Sequence, residues 1–280
     1  MNNARTVPQS LQQYARGIAG GLIFSLPLLY TMEMWWAGLS LSPLRLLCGL
    51  IATFILLLGY NSYAGIRHDT NFWEVAVDSV EELGIGLVLS AAVLALLGRI
   101  SAESSFEEVV GKIVVETLAV AIGVSVGTTQ LGTQEKNEEG SGSDESGAPE
   151  FGSQVVIAAC GATLFATNVA PTEEITMLAV EMAWPNLLLM VVASLGLAVM
   201  ILFFSDFRSS RQIAPAENSW SIVRGTIVTY SVALAMSAAI LWFFGRFDNA
   251  STSEIIAHIV VLGFAASLGS SAGRLLLQSQ

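Results

Sequence analysis

The sequence predicts an all-α polytopic membrane protein of about eight transmembrane segments, arranged as two four-helix internal repeats in which the first helix of each repeat is broken by proline. Three observations carry this. Of 280 residues, 53% are hydrophobic and only 12% are charged, against about 25% charged in soluble domains. Charge-free runs recur along the chain and approach the ~20 apolar residues that one helical crossing needs. Stretches of the two halves also align without gaps. Residues 73–100 match 220–247, sharing Trp, Ser-Ala-Ala and Gly-Arg, and residues 108–127 match 254–273, sharing Glu, Ile-Val-Val and two glycines.

The first segments are 17–36 and 153–175. Pro27 interrupts one and Pro171 the other, and a proline inside a helix removes a donor and clashes one turn back. Such breaks survive in a membrane where they face protein or a wet cavity. A weaker kinship pairs Pro27, Thr31 and Met32 with Pro171, Thr176 and Met177, and Ser42-Pro43 with Trp184-Pro185. Beyond the breaks come Glu33 in one half and Glu173 with Glu174 in the other. Two readings stand: an interfacial helix with Thr172 as N-cap and acids at its positive end, or a discontinuous helix lining an ion pathway at the repeat interface.

The second segments, 44–63 and 186–204, are apolar spans. The third are 75–98 and 221–244. Only 16 uncharged residues run from Leu83 to Gly98, so this helix must recruit Glu81 and Glu82, with Asp78 and Glu74 one and two turns further out along a helical face. Like charges there repel, which suits an acidic vestibule holding protons or a cation, or a solvated helix entrance. The counterparts Ser221, Gly225, Val228 and Thr229 carry no charge, so the shared fold does not demand the acids.

The fourth segments are 109–128 and 255–274. Glu116 lies near the centre of the first, where an ionisable group costs at least ~2.5 kcal/mol. Lys112, one turn earlier, is a candidate salt-bridge partner; the functional expectation is proton or cation handling. Leu262 and His258 stand at the corresponding places in the second half. The triplets Gly123-Val-Ser125-Val-Gly127 and Gly269-Ser-Ser271-Ala-Gly273 fit GxSxG, yet a strand-to-helix nucleophile elbow is absent. In parallel repeats His258 would also lie about 20 Å in depth from Ser125 at 1.5 Å per residue. Both triplets are GxxxG faces too, and the expectation is that these two helices pack on each other near a pseudo-twofold axis.

Four crossings per half make the repeats parallel; a re-entrant first segment would make them inverted. Arg67, echoed by Arg208 and Arg211, places these loops, both termini and the linker on the cytoplasmic side. The domain expectation is a first repeat at 1–132, an acidic Gly/Ser-rich disordered linker at 133–152 and a second repeat at 153–280. Between Glu135 and Glu150 stand six acids and one lysine, a composition that stays solvated. The net charge of −11, without a basic cluster, argues against nucleic acid. Cys48 and Cys160 lie in apolar runs with no CxxC, so neither a disulfide nor a zinc site is expected. No nucleotide, metalloprotease, EF-hand or haem motif occurs, so no cofactor and no enzymatic activity are expected.

The stretches Pro27-Leu-Leu-Tyr-Thr-Met-Glu-Met-Trp-Trp36 and Asn168-Val-Ala-Pro-Thr-Glu-Glu-Ile175 resemble a family of bacterial integral membrane proteins to which no activity is assigned. The likeness spans most of the chain except the acidic linker. It implies a multi-pass protein of the bacterial inner membrane and supplies no catalytic residues.

The functional expectation is a transporter or channel for protons or small cations, in contact with the lipid bilayer and open to homo-oligomer formation. Its pathway residues would be Glu116, Glu33, Glu173, Glu174, Asp78, Glu81 and Glu82, with the identity of any metal left open. The alternative is a non-catalytic membrane scaffold or sensor subunit, whose linker engages a partner and whose carboxylates are structural.

Overall fold

The computed structural model describes residues 7–64, 71–101, 103–130, 151–204 and 219–277. The acidic linker lies outside these except for Phe151 and Gly152, which begin a helix, and Arg67, Arg208 and Arg211 lie outside them too. Among the described residues all regular structure is helical: α1 (Val7–Leu29), α2 (Met32–Ser40), α3 (Pro43–Ala64), α4 (Phe72–Leu96), α5 (Phe106–Gln130), α6 (Phe151–Thr167), α7 (Glu173–Glu181), α8 (Trp184–Val199), α9 (Ser219–Phe243) and α10 (Thr252–Leu277). A π-helical turn, Met200–Phe204, continues α8.

Among the described residues six helices are long and apolar enough to cross a membrane, and a seventh crossing arises if α1 and α2, bent by 84°, count as one span. The expected eight therefore become six to seven by length and composition, because α6 has only 17 residues. What the sequence suggested as one first segment per half is a long helix followed by a nine-residue helix. The break also sits elsewhere than the prolines imply. Pro27 stays inside α1 and the chain turns after Leu29, whereas Pro171 lies in the joint itself, beyond the end of α6. Helix ends expose carbonyls, and here threonine hydroxyls cover them: Thr31 Oγ1 donates to Pro27 O at 2.6 Å and Thr172 Oγ1 to Val169 O at 2.8 Å. Neither threonine caps the following helix with its side chain.

The Gly-Arg pairs have a backbone cause. Gly98 and Gly245 sit at φ 66° and 73°, a left-handed conformation that glycine adopts without Cβ strain. At both sites the next residue bonds back into the helix, Arg99 N–H to Leu94 O at 2.8 Å and Arg246 N–H to Leu241 O at 2.9 Å, which closes the C-terminus in a Schellman pattern.

Close helix packing is set by glycine pairs, with a correction to the expected partners. The glycines of α5 meet α1: a Cβ added to Gly20 would stand 2.3 Å from Gly127 Cα. Those of α10 meet α6, where a Cβ on Gly161 would stand 2.2 Å from Gly269 O. Each GxxxG face packs on the first helix of its own half instead of on the other GxxxG face, since backbone contact needs a small residue opposite and Gly20 and Gly161 supply it. Thr31 stands at the N-cap position of α2 and Thr172 at that of α7.

The halves meet through Leu57 and Tyr60 of α3, Ala121, Ile122 and Val126 of α5, and Ile157, Cys160 and Leu164 of α6. Elsewhere Phe243 of α9 joins Leu28, Met34 and Leu118. Arg45 makes two hydrogen bonds, 2.7 and 2.6 Å, to the carboxylate of Asp248. Cys48 and Cys160 are free thiols.

Candidate functional site

The buried face of α4 reads Val75, Ser79, Glu82, Gly86, Ser90 and Leu94, a three-to-four spacing that is one helical stripe. That stripe meets α3 and α5, the latter being the most enclosed span. At its centre Asn61 of α3 donates from Nδ2 to Glu82 Oε2 at 2.7 Å and to Ser79 Oγ at 3.1 Å. Ser125 of α5 donates to Asn61 Oδ1 at 3.2 Å. One turn along α5, Thr129 Oγ1 and Tyr60 OH share a 2.6 Å hydrogen bond. In the other direction Gly86 packs on Ala121, and then Thr117 Oγ1 approaches Ser90 Oγ at 3.5 Å. A polar seam therefore runs along α4 and α5 inside apolar spans, from Tyr60 to the level of Thr117.

Glu116 follows directly in sequence, is 0% exposed, and neither of its carboxylate oxygens has a hydrogen-bond partner. The expected bridge from Lys112 does not form. Lys112 Nζ instead binds the Glu108 carboxylate and donates to Arg99 O at 2.8 Å, because side chains on a helix lean toward its N-terminus and Glu108 lies on that side. Glu116 shares the α5 face of Val120, Gly123 and Gly127 on which α1 packs.

The other predicted acids separate. Glu81 is exposed although Glu82 is buried, as the 100° between consecutive helix positions requires. Glu81, Asp78 and Glu74 line a shallow outer cleft with Trp73 and Val77, so Glu82 is not part of one vestibule with them. Glu173 and Glu174 are exposed in the first turn of α7, and Glu33 is half-buried in the first turn of α2. Arg246 lies near the joint between α6 and α7. Its guanidinium bonds Pro171 O, Thr172 O at 3.1 Å and Thr176 Oγ1 at 3.4 Å. Burial lowers its pKa, and the charges of Glu173 and Glu33 oppose that shift. In the first half Arg99 stands over the Trp35 ring of α2 at 4.2 Å.

Among the described residues no three His, Cys, Asp or Glu side chains group closely enough to hold a metal ion. Any cation at the seam would be held by the mixed oxygens of Glu82, Asn61, Ser79 and Ser125.

The model of the family described as "Putative integral membrane protein (DUF2391)" matches residues 13–277. The chain belongs to the DUF2391 family of integral membrane proteins. No curated protein and no solved structure matches it.

For this DUF2391 chain, the sequence pointed to Glu82 but not to its partners. Asn61 is the amide in an otherwise apolar span, a signal visible in the sequence. The Ser79, Gly86 and Ser90 stripe at helical spacing is another. Ser125, expected only at a packing face, bonds Asn61 while its flanking glycines do the packing, since it lies about 160° around the helix from Gly127.

Proposed function

We propose that this DUF2391 protein moves protons or small cations across a bacterial inner membrane, as a channel or transporter built from two copies of one four-crossing unit. The observation that carries the reading is the buried seam, in which Glu82, Asn61 and Ser125 from three membrane helices bond to one another. Hydrocarbon offers a carboxylate no water, so acids are placed there at a cost. A charge there calls for a proton or a cation, and the serine and threonine oxygens along α4 and α5 provide successive resting places. Glu116, with no partner of its own, would be a second buried acid on the opposite face of α5, where α1 packs. Glu33 and Glu173, whose charges both act on Arg246, would form the charged mouth at one end, with Glu174 beside them; Asp78 and Glu81 would be the acidic surface at the other.

The duplicated unit is supported by matched elements: the paired nine-residue helices, the two Schellman glycines each followed by arginine, and Gly20 and Gly161 in the same packing role. Four crossings per half would put both termini on one side, and Arg67, Arg208 and Arg211 support the cytoplasmic one. Ser125, whose hydroxyl donates to Asn61 Oδ1, serves in this reading as a hydrogen-bonding group of the seam.

The experiment is ion flux into proteoliposomes of the full chain, comparing the unaltered protein with Glu82→Gln and Glu116→Gln at matched insertion. Proton or monovalent cation flux that both substitutions abolish supports the reading. Equal ion impermeability of all three across a broad cation panel and pH range would discard it in favour of a scaffold role.

A further inference from the structure

The second half contains a buried charge with no counter-charge among the described residues. Arg274, in the last turns of α10, is 2% exposed. Its guanidinium donates to Gly225 O at 3.0 Å, to Thr229 Oγ1 at 2.5 Å and to Gln154 Oε1 at 2.7 Å. All three acceptors are neutral. Its Nε has no partner, and neither has the hydroxyl of Ser271, which is 0% exposed and one turn earlier on the same helix. No carboxylate among the described residues pairs with this guanidinium.

The aligned halves account for the neutral partners of this guanidinium among the described residues. Thr229 stands where Glu82 stands in the first half. The second half has an arginine where the first has Thr128, and lacks the acid that would have neutralised it. A guanidinium removed from water without a paired charge is strongly unfavourable, and truly orphaned buried donors are rare. Two free donors, Nε and the Ser271 hydroxyl, lie within one helical turn of each other and can converge on one acceptor.

We propose that Arg274 and Ser271 bind a small monovalent anion of halide size within the second half. Its size is bounded by burial: Ser271 is 0% and Arg274 2% exposed, which excludes an organic acid. This site does not depend on the cation reading of the first half.

The test uses the full chain in detergent in sodium gluconate, exchanged stepwise for sodium chloride or sodium bromide at constant ionic strength and sodium concentration, with thermal unfolding as the readout. Tm should rise saturably with chloride and with bromide. Arg274→Gln should flatten the response, and Ser271→Ala should weaken apparent chloride affinity about tenfold, the loss of one hydrogen bond to a charged group. If Arg274→Gln does not fold, Ser271→Ala still decides. A Tm indifferent to which anion is present, or a chloride response unchanged in Ser271→Ala and Arg274→Gln alike, overturns the proposal. Because the readout is binding in detergent, its failure leaves the flux of the first half untouched, and a failed flux measurement leaves this site standing.

Discussion

Asn61 donates a 2.7 Å hydrogen bond to the carboxylate of Glu82, and the two stand on different membrane helices, α3 and α4. The same amide accepts from Ser125 and donates to Ser79, so one side chain ties α3, α4 and α5 at a single depth.

Replacing that amide should therefore cost more than one hydrogen bond. Asn61→Leu leaves Glu82 buried without its donor, and destabilisation of about 1–3 kcal/mol is expected, the penalty of an unsatisfied buried polar group. The double variant Asn61→Leu with Glu82→Leu should recover most of that loss, because both partners become apolar, while ion flux stays abolished. Denaturant unfolding in micelles beside vesicle flux would separate the two effects. A double variant as unstable as the sum of the singles would contradict the coupling.

Glu116 makes a contrasting case. With no partner to orphan, Glu116→Leu introduces the residue that the second half already carries at Leu262. Thermal stability should hold or rise, since a buried acid is exchanged for an apolar side chain of similar size, and flux should fall at least about tenfold if the acid serves transport. A loss of folding in place of a loss of flux would make Glu116 a structural residue.

The glycine contacts rank themselves by the space around each. Gly20→Val must push the α5 backbone away and should cost about 3 kcal/mol or more, at the severe end of overpacking. Gly84 has nothing within 4 Å of a built Cβ, so Gly84→Ala should gain up to about 1 kcal/mol from helix propensity alone. Both are read from unfolding curves of the purified chain in micelles. Equal effects of the two would show that α1 and α5 are not in backbone contact.

Asp248 supplies a pH dependence outside the spans. The side-chain hydrogen bond from Arg45 holds its carboxyl below the ordinary 3.8, with burial opposing and the Arg45 charge assisting. The folded carboxyl is the stronger acid, so the pair contributes stability above the ordinary value, and that contribution is lost as pH falls through the folded value. The pair is exposed, so its effect is small and screened by salt. The Tm difference between the unaltered chain and Asp248→Asn should be present at neutral pH, shrink in high salt and vanish in strong acid. A difference that persists in strong acid would point to a role of Asp248 other than charge pairing.

Arg246 holds the α6–α7 joint by three backbone and side-chain oxygens. Arg246→Lys keeps the charge but has no planar fork to reach them together. Protease sensitivity near Thr172 should therefore rise in Arg246→Lys nearly as much as in Arg246→Ala. Full protection by lysine would reduce Arg246 to a point charge facing Glu33 and Glu173.

Hydropathy and spacing made most of the fold legible. Apolar runs of crossing length became α3, α4, α5, α8, α9 and α10, because a chain segment in lipid has to satisfy its own backbone and the helix does so locally. The proline signals located the two joints to within a few residues but not their form. Whether Pro27 ends a helix depends on what covers the freed carbonyls, and that is settled by Thr31 and by Trp35, whose indole donates to Leu29 O at 3.2 Å. For the candidate site the sequence singled out acids, since charge in an apolar run is conspicuous, and passed over Asn61 and Ser79, while Ser125 drew notice only through its flanking glycines.

By itself the sequence determined that this protein resides in the membrane as a set of helices, and that Glu82 and Glu116 stand within apolar stretches; both are properties of local composition and length. Only the tertiary structure decided that Glu82 turns inward to Asn61 while Glu81 faces outward, that Lys112 chooses Glu108 over Glu116, and that Gly127 meets Gly20 while Gly269 meets Gly161. Such choices turn on which helix lies against which face. A neighbour brought from a distant part of the chain sets burial and pairing, and no window of local sequence contains it.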